Sequence, residues 1–221
     1  MRKIGIFLAL IGFLLCLFLG YQAAQLLTSP AEKQSGDLTS ETDSLQSNIL
    51  IVHIDSLKAE EPKLISLWVA FSYQADPASL TFLPLYPTGK AGESDLATRF
   101  ALSKDKEISA SFLESLRKTY SFNWKYLVLI DQEGANYWAT LLNNREFSQP
   151  LDAGNEAVLK PEIDLIANLC GNLRERGSGL LDGIVWDQIT PDHMRTNLPL
   201  DQLVADWDRI QKSGLCDVFS K

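Results

Sequence analysis

The run Ile4–Leu27 carries no charged residue and is apolar or weakly polar throughout. About 20 such residues cross a hydrocarbon core of roughly 30 Å as one helix. This feature predicts a transmembrane span and removes residues 1–27, the cytoplasmic tip and anchor, from the folded domain. Arg2 and Lys3 precede the run, whereas Thr28, Ser29 and Pro30 follow it. Positive flanks stay on the cytoplasmic side, so the expectation is a single-pass protein of the plasma membrane, N-terminus cytoplasmic and C-terminal domain extracytoplasmic. A cleaved signal peptide is the competing reading. Tyr21-Gln22-Ala23-Ala24 offers small residues without a clean A-x-A site, and the run is longer than the roughly 7 to 15 residues of a signal h-region.

Residues 28–47, TSPAEKQSGDLTSETDSLQS, hold no aromatic residue and no hydrophobic period. Such a stretch cannot bury enough surface to order itself and is expected to be a flexible stalk. Residues 48–221 then fall within the usual size of one domain with its own core. A net charge of −8 argues against nucleic acid as a partner, since such binders carry a basic patch or stripe. Of three cysteines, Cys16 lies within the apolar run, leaving Cys170 and Cys216 in the exported part. Two cysteines facing an oxidising space invite one disulfide; two unconnected buried thiols are the alternative.

The pattern changes at Asn48-Ile49-Leu50-Ile51-Val52-His53-Ile54-Asp55, an apolar, β-branched run that predicts a buried central strand. Strands at Leu64 to Tyr73 and Ser79 to Leu85 flank an Asp76-Pro77 turn and predict a hairpin. Thr88 to Glu93 has the composition of an exposed loop. Ile108, Phe112, Leu113, Leu116 and Tyr120 recur at helical spacing, Lys125 to Asp131 reads as a second buried strand, and helical spacing resumes from Ala135 to Leu142. Strand and helix in alternation imply parallel pairing and an α/β fold with a central mixed sheet flanked by helices. Three further helices are predicted: one holding Pro161 near its start and running through Leu173, one over Gly177 to Ile189, and one opened by Pro199 and stopped by Gly214. Leu215 to Phe219 is the expected edge strand.

There is no internal repeat, Gly-rich phosphate loop, metal-spaced His and Cys cluster or G-x-S-x-G elbow. The order of pieces nonetheless resembles the LytR-CpsA-Psr family, whose members attach wall glycopolymers to peptidoglycan. NILIVHIDS from Asn48 is similar to that family's opening motif, and LTFLPLYP from Leu80 sits where it has a strand ending I-P-R-D-T. YSFNWKYLVLIDQEGANYWATLLNN from Tyr120 and RTNLPLDQLVADWDRI from Arg195 are similar in pattern to two later stretches. The resemblance implies an extracytoplasmic domain that meets a polyprenyl-linked lipid or cell-wall polymer, with Mg²⁺ if it is active. Asp55 ends a buried strand, and ligands in open α/β sheets bind outside the carboxyl ends of strands, so it reads as the catalytic candidate and a ligand or metal contact, with an Asp-Ser turn or helix cap as the alternative. A pyrophosphate site of the resembled kind would be completed by Lys90 and Arg99 as ligand contacts, Arg99 reading otherwise as a surface residue.

The departures bear on activity. The family is understood to hold a pyrophosphate with arginines, which suit bidentate phosphate contacts. Leu57 stands where arginine is common, and Leu85-Tyr86 replace the Arg-Asp pair. Arg174 and Arg176 read as a solvated helix end. The expected function is therefore cell-envelope glycopolymer or polyprenyl-phosphate lipid binding without full catalytic machinery; the alternative is an active metal-dependent phosphotransferase. Among single residues, Asp131 reads as a ligand contact or a helix cap, His53 as a packed strand residue, and His193 as a loop residue with no visible partner. The tryptophans read as core, with one or two left open to line a polyprenyl cavity.

Overall fold

In β1, Gln46–Ile54, alternate residues point to opposite faces of the sheet, and both faces are apolar, so the strand folds only where both are covered. The computed structural model describes residues 45–88, 93–143 and 156–219, all within the unit Ser44–Lys221. The expected anchor, residues 28–44 of the expected stalk and Lys90 lie outside them, while Gln46 and Ser47, assigned to the stalk from sequence, begin β1. Five more strands complete the sheet: β2 (Leu64–Tyr73), β3 (Ser79–Tyr86), β4 (Tyr126–Asp131), β5 (Met194–Thr196) and β6 (Leu215–Val218). Their order is β5-β4-β1-β2-β3-β6. The β1–β4 and β3–β6 pairs are parallel and the rest antiparallel. The mixed sheet flanked by helices is as expected.

One face is sealed by α1 (Glu93–Arg99) and α2 (Ala110–Tyr120). Leu50, Val52 and Ile54 of β1 are fully buried there, in one cluster with Leu67 and Val69 of β2 and Phe112 and Leu116 of α2. The Ser109 hydroxyl caps α2, and Ser121 ends it in the left-handed conformation. The other face carries α3 (Gln132–Leu141), α4 (Leu159–Arg176) and α5 (Leu200–Ser213). Asp131 caps α3 through the Gly134 amide at 3.0 Å. Pro161 sits in the first turn of α4, where its missing N–H costs no helical bond.

Cys170 of α4 and Cys216 of β6 are joined, with their Cα atoms 5.2 Å apart, which settles the open choice between bridge and free thiols. Two local expectations differ. The segment Gly177 to Ile189 is not an α-helix but two 3₁₀ turns, Gly177–Gly183 and Trp186–Gln188. Three glycines at 177, 179 and 183 remove the propensity for a longer helix. Strand β5 was not anticipated, because three residues carry too little pattern.

Candidate functional site

Residues at the centre of a covered sheet are normally sealed, yet Ile49 and Ile51 of β1 and Val128 and Ile130 of β4 are only half-buried. They face α3 to α5 across a gap bordered by large indoles. Trp138 of α3 and Trp207 of α5 meet edge to face with ring centroids 6.4 Å apart, and Trp68 of β2 is buried in the same cluster. The gap is a cavity of about 400 Å³ with almost wholly apolar walls, lined by these residues and by Leu165, Ile166 and Leu169 of α4. That is within the range of small-molecule sites.

Two polar clusters interrupt its wall. Glu162, in the first turn of α4, is 5% exposed. Its Oε1 lies 2.6 Å from His53 Nδ1 and accepts from Ser66 Oγ at 2.8 Å, and its Oε2 accepts from Trp68 Nε1 at 2.7 Å. The register explains the convergence: His53 and Ser66 are cross-strand partners and Trp68 is the next residue on the same face of β2. The second cluster is six residues along β2, or roughly 20 Å. Here Ser72 Oγ donates to Asp206 of α5 at 3.2 Å, joined by Gln74, Gln202 and Arg209. The cavity is therefore elongated along the strands.

Burial pushes the Asp206 carboxyl above its ordinary 3.8, while hydrogen bonds from Ser72 and Gln202 and the charge of Arg209 act the other way. A folded-state pKa raised above the unfolded value means the native state holds the extra proton. The contribution is full below the unfolded pKa and is lost as pH rises through the folded one. Asp206→Asn cannot titrate, so the stability of wild type relative to this variant should rise as pH is lowered from about 7 to about 4. Urea midpoints at the two pH values measure this, and a pH-independent difference would reject it.

The residues chosen from sequence lie elsewhere. Asp55, half-buried at the end of β1, accepts from the Ser56 and Lys63 amides at 2.7 and 2.8 Å through Oδ1, and its own N–H donates to the Lys63 carbonyl. It closes a turn and does not line the cavity. Arg99 ends α1 in an exposed ion pair with Asp95. Among the described residues no hydrogen bond or ion pair links Asp55 with Arg99. Arg174 and Arg176 bond the backbone at the end of α4, as a solvated helix end would.

Leu57, Leu85 and Tyr86 are all buried in the one apolar cluster beneath α1 and α2. Asp131 is the helix cap of the two readings given to it. Besides capping α3 it accepts from the Leu57 amide at 3.1 Å and holds His193 Nδ1 at 3.1 Å. His193 thus has a partner that its loop position concealed. Gly134 permits this approach, because a Cβ there would lie 2.5 Å from the His193 carbonyl oxygen. The His193 Nε2 atom meets Glu133 at 3.1 Å and Lys58 at 3.4 Å. Among the described residues no group of three or more His, Cys, Asp or Glu is placed to hold a metal.

Sequence reasoning missed Glu162 and Asp206, which looked like ordinary helix polar residues. The available signal was Ser66 and Ser72 on one face of an otherwise apolar strand.

No protein-family model matches the chain, and no curated protein is similar to it in sequence. Solved structures do match. A candidate transcription regulator from Eubacterium siraeum DSM 15702 is 12% identical with a TM-score of 0.52, over 85% of this chain and 86% of that one. The fold is shared. TagT bound to LI-WTA is 7% identical with a TM-score of 0.49, over 80% and 79% of the two chains. TagV of B. subtilis is 11% identical with a TM-score of 0.46, over 79% and 84%.

Proposed function

We propose that this domain is a divergent LytR-CpsA-Psr-like binding protein. It stands on the outer face of the plasma membrane behind the anchor Ile4–Leu27 and holds the apolar chain of a polyprenyl-phosphate lipid or of a lipid-linked cell-wall glycopolymer. The cavity of about 400 Å³ between the sheet and α3 to α5 carries this reading. Each CH₂ buried there contributes about 0.8 kcal/mol without help from a head-group site. Leu57, Leu85 and Tyr86 support the absence of transfer: three positions that would bear charge in the family pack against the core instead. Phosphoryl transfer depends on neutralising developing charge, and side chains of this kind cannot do so.

The alternative, an active transferase, would place Mg²⁺ on Asp55 with Lys90 and Arg99 toward the phosphate. Asp131 could add little, since its two oxygens already accept from Gly134, Leu57 and His193. The test uses the full chain in detergent with a labelled polyprenyl pyrophosphate, scoring retention and Mg²⁺-dependent phosphate release. Wild type should retain the lipid and release nothing. Ile51→Trp, which fills the cavity from β1, should weaken retention about tenfold or more by displacing two or more CH₂ groups. Turnover that disappears in Asp55→Ala would restore the transferase, and retention indifferent to Ile51→Trp would remove the cavity from the account.

A further inference from the structure

We infer that His193 is a proton-driven latch whose imidazole changes partner between the loop joining β1 to β2 and the first turn of α3. It stands where that loop, the end of β4 and the start of α3 meet, and it is not among the residues that line the cavity. The main chain fixes it first. His193 N–H donates to the Ile189 carbonyl at 2.8 Å, and the His193 carbonyl accepts from the Asp131 N–H at 3.0 Å. Gly134, lacking a Cβ, lets that carbonyl come close to α3. The ring is fixed next. Asp131, 1% exposed, already accepts from the Leu57 and Gly134 amides. It therefore meets the ring at 3.1 Å as an acceptor, and Nδ1 carries the hydrogen.

The consequence lies at Nε2. With the hydrogen on Nδ1, a neutral ring has only a lone pair at Nε2 and can only accept there. Lys58 Nζ, which can only donate, stands 3.4 Å away and suits that form. Glu133 Oε2 stands 3.1 Å away and suits the other, in which the imidazolium donates to a carboxylate and repels an ammonium. Histidine is the side chain that changes charge between about pH 5 and 8. One proton thus moves the ring's bond from the loop to α3, while Asp131 holds Nδ1 throughout. The Glu133 and Lys58 side chains are exposed, so either swings away without uncovering core. On the ring's own segment Asp192 is exposed, and Arg195 is turned to the Pro191 and Asp105 carbonyls. Once Lys58 is released, the loop keeps the Leu57 amide on Asp131 and the Ala59 carbonyl on Lys106. It loosens between them, at the carboxyl ends of the parallel pair β1 and β4, the end at which open α/β sheets take ligands.

The experiment uses the full chain in detergent. Long-range nitrogen–proton NMR of the His193 imidazole, assigned by its loss in His193→Gln, should show the hydrogen on Nδ1 in the neutral form. The opposite tautomer would overturn the latch. Brief acetylation read by peptide mass spectrometry then compares Lys58 with Lys63, an exposed lysine at the far end of the same loop. The ratio of Lys58 to Lys63 modification should rise about two- to fivefold between about pH 8 and about pH 5.5, the size expected when one surface contact is lost. It should stay level in His193→Gln, whose amide can still donate to Asp131 but takes no proton. Glu133→Ala, a change at an exposed position, should displace the rise to lower pH, because the imidazolium has lost its acceptor. A ratio that ignores pH in wild type, an equal rise in His193→Gln, or a rise at unchanged pH in Glu133→Ala would each show that Lys58 and Glu133 do not exchange at the ring.

Discussion

Glu162→Ala should lower the stability of the folded domain by about 3 kcal/mol, which for a domain of this size is a fall in Tm of roughly 6 to 12 °C. The carboxylate is the common acceptor for His53, Ser66 and Trp68. Its removal takes from those three groups the acceptor they share, beside a cavity whose walls are otherwise almost wholly apolar. An unsatisfied buried polar group costs about 1 to 3 kcal/mol, and breaking a buried pair by truncating one partner costs about 3 to 5. The lower figure is chosen because the cavity is roomy enough to admit water. The cost arises from stranding the partners and not from any large net strength of the cluster. The combined variant His53→Leu, Ser66→Ala, Glu162→Met should therefore recover most of the loss, since replacing buried hydrogen-bonding partners together by apolar groups of similar shape can be nearly neutral. Thermal and urea unfolding followed by tryptophan fluorescence give both values. A loss below about 1 kcal/mol for Glu162→Ala would show that the cluster is solvated and not a buried unit.

The same cluster shows where reading the sequence succeeds and where it stops. β1, the β2–β3 hairpin, α2 and β4 were legible because period and composition are local: Leu50, Val52 and Ile54 on one face need covering, and Phe112 and Leu116 at helical spacing cover them. The edge position of β6 and the Cys170–Cys216 bridge were legible from the order of the elements and from an expected oxidising compartment. Glu162 was not, because it meets His53 across 109 positions of sequence, and nothing local distinguishes it from the solvated glutamates of other first turns. The cavity was anticipated only as a possibility attached to the tryptophans. Its location follows from how α3, α4 and α5 pack over the sheet, which residues far apart in sequence decide together and no local pattern records. Asp55 was chosen because ligands gather outside the carboxyl ends of parallel strands. That rule led to the right sheet, but the ladder places the cavity along the faces of β1 and β2, beside His53 and not beyond Asp55.

Loss of the Cys170–Cys216 bridge should cost roughly 4 kcal/mol, the loop-closure value for a sequence separation of 46. The bond joins the middle of α4 to the four-residue strand β6, which is held otherwise by its parallel pairing with β3. With the bridge gone, the unfolded chain regains the freedom of the whole intervening segment, and β6 can leave the edge of β3, uncovering Leu80 and Phe82 of the cavity wall. Cys170→Ala with Cys216→Ala should therefore melt roughly 8 to 16 °C below wild type. Reductant should lower wild type by a similar amount and leave the double variant unmoved, which separates the cross-link from the lost sulfur contacts. Alkylation followed by intact-mass measurement fixes the state of the starting material: one modified cysteine, Cys16, before reduction and three after. Because thiols stay reduced in the cytosol, the full value is expected only from protein whose domain has reached an oxidising space. A melting temperature indifferent to reductant in protein carrying one free thiol would show that α4 and β6 are held by packing alone.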